Sequence, residues 1–108
     1  MKTARLRALA KADLEDLGLY YAEAGGQALG QRAIDEALAA LSTLERQPGI
    51  GSTRWALDGE QPPLRAWRVS RFPALWLYFE RADHLDVVRL LGERQDIGSI
   101  LNVDEPSS

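Results

Sequence analysis

The chain has no cysteine, and its 108 residues include a single histidine, His84. Without a thiol there is no disulfide framework, no thiolate nucleophile and no thiolate metal site, and one imidazole has no second imidazole with which to cage zinc. Long apolar runs are missing too. The longest, residues 74–79, falls far short of the roughly 20 residues that span a bilayer, and the first ten residues carry no secretory pattern. The expectation is a soluble, cytoplasmic protein with no membrane partner. Lysine is scarce, Lys2 and Lys11 being the only two. The other cations are arginines, suited to planar, bidentate, partly buried pairing. A net charge of -3 argues against a general polyanion binder, so no direct sequence-specific nucleic-acid binding is expected. Neither a phosphate-cradling glycine motif nor a nucleophile elbow is present, and no cofactor is implied.

What is there suits one folded domain. Hydrophobic residues make up 45% and charged residues 27% of the chain, an ordinary globular balance, and the length fits a single core. Residues 2–9 alternate Ala4, Leu6 and Ala8 with Thr3, Arg5 and Arg7, the period of an edge strand with one buried face. From Ala10 the period becomes helical through Leu14, Leu17, Tyr21 and Ala24, until Gly25 and Gly26 interrupt it. A second amphipathic helix starts near Gln27 with a stripe of Ile34, Ala37, Leu38, Leu41 and Leu44, and ends at Gln47, Pro48 and Gly49. The two-glycine connection predicts an antiparallel helical hairpin. Residues 48–63 form a long loop in which Trp55 and Leu57 are the prominent apolar anchors, and Trp55 is expected to close over the end of the core.

Three strands follow, over residues 64–71, 74–79 and 85–91, separated by turns at Phe72 with Pro73 and at residues 81–84. They predict an antiparallel β-meander, with the all-apolar middle strand covered on both faces. Ile97 with Ile100 or Leu101 predicts a short C-terminal helix, and residues 102–108 a frayed tail. The fold class is therefore α+β: an N-terminal strand, a helical hairpin, a meander and a short C-terminal helix in one domain, residues 1–101.

Few residues carry obvious chemistry. His84 beside Asp83 reads as an exposed turn histidine, and Asp13, Glu15, Asp16, Asp35 and Glu36 as solvating or helix-dipole carboxylates. No catalytic residue and no metal ligand is assigned. Arg89 shares a period-two row with Leu85, Val87 and Leu91, so it needs a partner if that row is buried, and Asp96 is a candidate for a structural ion pair.

Several stretches converge on a known family. They are residues 10–17 followed by Tyr20; the helix ending near Leu44 followed by Pro48, Gly49, Ile50 and Gly51; Leu64 with Arg65; Phe79; and the run Arg89, Leu90, Leu91, Gly92, Glu93, Arg94, Gln95, Asp96, Ile97. Over nearly its whole length the chain resembles the ParE branch of the RelE/ParE toxin superfamily, with Gly92 where the family often has histidine. The resemblance implies the toxin of a type II toxin–antitoxin pair that inhibits DNA gyrase and so blocks replication, neutralised by a cognate ParD-like antitoxin. It also leaves open the ribosome-dependent messenger RNA cleavage of RelE-like relatives. The acidic balance and a C-terminal half without lysine favour gyrase inhibition. On this reading Arg94 and Gln95 contact the target, and Leu17, Tyr20, Tyr21 and Leu38, with Ile34 beside them, are candidates to line the antitoxin site.

Overall fold

In a computed structural model, which describes residues 1–92, the first alternating segment forms β1 (Thr3–Leu6). It lies at one edge of a four-stranded sheet. It is shorter than its alternation suggests, because Arg7 donates its backbone N–H to Val87 at 2.9 Å and the chain turns directly into α1 (Ala8–Gly25). That early start removes the carboxylates from the first helical turn, so Asp13, Glu15 and Asp16 do not serve the helix dipole as expected.

A reversal at Gly26, with φ of 99°, leads into α2 (Gln27–Arg46). This backbone conformation is open to glycine and costly to other residues. The two helices pack as the expected hairpin, and their seam is made of small residues. A Cβ on Gly30 would lie 2.6 Å from the Gly18 carbonyl oxygen and 2.9 Å from the Ala22 Cβ. Such close approach keeps Ala37, Leu41 and Leu44 of the expected stripe on α2 and moves the rest of it onto small residues. Gly30, Ala33, Ala37, Ala40, Leu41 and Leu44 are buried, whereas Leu38 is exposed and Ile34 only partly covered. On α1, Ala24 is likewise exposed.

The meander forms as β2 (Arg65–Arg68), β3 (Ala74–Glu80) and β4 (His84–Gly92), with β2 antiparallel to β3 and β3 antiparallel to β4. The sheet order is β1-β4-β3-β2, with β1 parallel to β4. Pairing with Thr3 extends β4 back to His84, which is therefore a strand residue and not a turn residue. The Val69 N–H bonds to the Ala74 carbonyl and Arg71 takes φ of 70°, so the turn consumes the residues that would have prolonged β2.

Both faces of β3 are covered. Toward the helices, Trp76 and Tyr78 join Leu44, Leu85, Val87 and Leu90 in the larger core, and the Trp76 indole donates to the Ala37 carbonyl at 2.9 Å. On the far face, Leu64, Ala66, Leu77 and Leu91 form a smaller cluster, with Trp55 of the loop packed against it. The loop is pinned from below. Tyr78 donates its hydroxyl to Pro48 O at 2.7 Å and accepts the Gly51 N–H at 3.0 Å, while Arg65 donates to the Gly49 and Gly51 carbonyls. Burial pushes the Tyr78 phenol up from its ordinary value.

A bulge lies between Leu77 and Tyr78 of β3 and the facing part of β4: Tyr78 pairs with Val87 and Leu77 with Arg89, leaving Val88 as the extra residue. One inserted residue reverses the alternation. Leu85, Val87 and Leu90 therefore face the helices while Leu91 belongs to the far cluster, correcting the single row read from the sequence.

The outer edge of β1 is closed by the end of α2, where Glu45 accepts the Ala4 N–H at 2.7 Å through its carboxylate and the Lys2 N–H through its carbonyl. A blocked edge cannot template pairing with another chain. Asp86 of β4 binds Arg7 through two hydrogen bonds, of 2.9 and 2.7 Å, and Arg81 at 3.1 Å. The Arg7 hydrogen bonds hold its carboxyl below the usual range despite partial desolvation.

Two outcomes follow from this packing. Gly30→Ala should destabilise the chain by about 2 kcal/mol, since the methyl meets backbone that can yield only by parting the helices; thermal unfolding will show it as a lowered Tm. For Asp86, the folded pKa lies below the unfolded one, so its contribution is complete above about pH 5 and disappears as the pH falls through the lowered folded value. The stability gap between wild type and Asp86→Asn should therefore be constant near neutrality and close in acid, as measured by denaturant titration across pH 2 to 7.

Candidate functional site

Arg89 and Asp13 lie 76 residues apart in sequence and meet where α1 crosses β4. The Arg89 Nε donates to one Asp13 oxygen at 2.8 Å and Nη2 to the other at 3.2 Å. Asp13 also accepts the Leu90 N–H at 2.9 Å. Side-chain exposures of 17% and 14% place the pair largely out of water, where a carboxylate with three donors is compensated and one with none is not. Arg89 is thus paired, as its setting requires, and its carboxylate partner among the described residues is Asp13. Asp96 lies outside the described residues. The sequence signal for Asp13 was slight: an arginine in a buried row demands a carboxylate, but no local spacing says which.

Beside this clamp runs a groove of about 540 Å³ between α1, the start of β3 and the end of β4. Leu17, Tyr20 and Tyr21 line it from the helix, and Pro73, Ala74, Leu90, Leu91 and Gly92 from the sheet. Its size is that of sites that take a ligand or a few partner side chains, about 300 to 1,000 Å³. The helix side is held by aromatic contacts. Tyr21 packs edge-on against Phe72 at 4.8 Å and against Tyr20 at 4.9 Å, and Tyr20 remains 66% exposed. An exposed tyrosine on a supported ring is a good partner anchor, because little side-chain freedom remains to be lost.

Of the residues expected to line a partner site, the structure brings Leu17, Tyr20 and Tyr21 together. Leu38 is 45% exposed but does not line this groove, and Ile34 is occupied against Gly18. Sequence reasoning missed the sheet side, Pro73, Ala74 and Leu90 to Gly92, because it belongs to elements distant along the chain. It also missed Asp16, which lines the groove and is exposed. Arg94 and Gln95 lie outside the described residues, two and three positions beyond Gly92. His84, bonded to Asp83 at 2.7 Å, is not among the lining residues.

A family model described as "ParE toxin of type II toxin-antitoxin system, parDE" matches residues 4–97. Among solved structures, the fold is similar to that of a chain from the chromosomal ParDE TA system of P. aeruginosa, with a TM-score of 0.69 and 17% identity over 85% of this chain and 96% of that one. No curated protein matches.

The clamp generates a paired test. Asp13→Ala removes the carboxylate that accepts from the Arg89 guanidinium and the Leu90 N–H and should cost about 3 kcal/mol. Asp13→Asn retains an acceptor for Leu90 and should cost less. Urea unfolding should show both as a lowered midpoint with unchanged slope.

Proposed function

The chain belongs to the ParE toxin family of type II toxin–antitoxin systems, and from that membership we propose that it arrests growth in the cytoplasm by binding and inhibiting DNA gyrase, and that a cognate ParD-like antitoxin neutralises it. The family match over residues 4–97 carries this reading. The net charge of -3 and the single imidazole support a toxin that works by protein contact, since a ribosome-dependent nuclease gains from a basic face and from acid–base groups around a scissile phosphate.

In this reading the two partners use different parts of the chain. Arg94 and Gln95 supply the gyrase contact, arginine being suited to anchoring a protein interface through its planar fork. The antitoxin covers the groove at Leu17, Tyr20 and Tyr21, with exposed Leu38 outside the groove as a further contact. Helix-in-groove docking needs such a mixture of apolar floor and polar rim.

The deciding experiment compares purified toxin in two assays. Inhibition of gyrase supercoiling, with messenger RNA left intact in a translating extract, is expected; cut messenger RNA and untouched supercoiling would move the chain to the RelE-type activity. Arg94→Ala should abolish growth arrest while changing stability by no more than about 0.5 kcal/mol. Full toxicity in that variant removes Arg94 from the target contact.

A further inference from the structure

The charges lining the groove differ in one respect. Asp13 and Arg89 satisfy each other, whereas Asp16 makes no side-chain hydrogen bond or ion pair among the described residues. Asp16 precedes Tyr20 by one helical turn on the same face of α1, beside the floor residues Leu17 and Tyr21. α1 as a whole is acidic, with Asp13, Glu15, Asp16 and Glu23 against Lys11 alone. An apolar groove with an unmatched carboxylate on its rim favours an occupant that combines apolar side chains with a cation.

The composition of the chain beyond β4 bears on who that occupant is. Residues 93–108 carry four carboxylates and one arginine, so their net charge has the same sign as that of α1. Like charges brought together in a partly desolvated groove cost free energy. By charge, the groove is better matched to a basic segment than to an acidic one.

Resting on the antitoxin reading above, we propose that the groove receives an amphipathic segment of the antitoxin whose apolar side chains pack against Leu17, Tyr21 and Leu90 and whose lysine or arginine pairs with Asp16. The cation selects the partner: an antitoxin segment with a neutral or acidic residue at that point leaves Asp16 half-desolvated and unpaired. Tyr20 flanks the pair and shields it from water.

The test uses full-length toxin and the product of the neighbouring antitoxin gene, purified separately and titrated by calorimetry. Asp16→Asn should weaken binding about tenfold and Asp16→Lys about a hundredfold. Asp58→Lys, a reversal in the remote loop, should stay within about twofold. Changing one basic residue of the antitoxin segment to Glu should restore binding to Asp16→Lys and weaken it to wild type, the reciprocal pattern of a direct pair. If wild type binds and Asp16→Lys binds equally well, the groove assignment is overturned while the antitoxin reading stands. If wild type binds no neighbouring product, the antitoxin reading falls and this one with it. A free toxin that dimerises and is dissociated by Asp16→Lys would put a second copy in the groove. A rise in the Tm of free toxin on Asp16→Lys would put the chain's own acidic C-terminal segment there. Either result overturns the proposal.

Discussion

The carboxylate of Asp13 joins the two halves of the molecule. Through three hydrogen bonds it fixes the Arg89 guanidinium and the Leu90 backbone, tying the second turn of α1 to β4 just beyond the point where β4 carries its extra residue. The bulge and the clamp are linked. A strand without the insertion would present its side chains in unbroken alternation; with it, Leu90 turns toward the helices and Leu91 away from them. The groove exists because β4 is held in that setting against α1.

The helices and the sheet accommodate each other by opposite means. Between α1 and α2 the side chains shrink to glycine and alanine, so the backbones approach and little cross-section is used. Between the helices and the sheet the side chains enlarge: Trp76 and Tyr78 are wholly buried, and each finds a polar partner for its ring donor. Tyr78 reaches past the core to the start of the long loop, and through it the loop carries Trp55 over the far side of the sheet. Among the described residues, two helices and the long loop thereby cover both faces of the central strand.

This arrangement leaves large apolar groups exposed chiefly on the helices, among them Leu9, Leu19, Tyr20 and Leu38. Three of them, Leu9, Leu19 and Tyr20, lie on α1, which is also acidic. In a toxin of a toxin–antitoxin pair, such a surface suits the antitoxin contact proposed above, since apolar contact supplies burial and charge can reject mismatched segments.

Local pattern alone determined most of the architecture. The period of residues 2–9, the two-glycine break, the prolines and glycines after Arg46 and the all-apolar run at residues 74–79 are short-range signals, and they specify the edge strand, the hairpin, the loop and a meander whose middle strand is covered on both sides. Leu17, Tyr20 and Tyr21 were legible as site candidates for the same reason, being neighbours on one helix. Tertiary structure decided what pattern could not express. Hydrophobicity places Leu38 inside and Gly30 nowhere in particular, but the distance between the helices excludes the leucine and requires the glycine. The choice of Asp13 as the partner of Arg89, the reversal of β4 at Val88 and the meeting of α1 with Pro73 and Gly92 likewise join residues far apart in sequence. Periodicity reports what a segment needs from its surroundings; which distant group meets that need is settled only when the chain has packed.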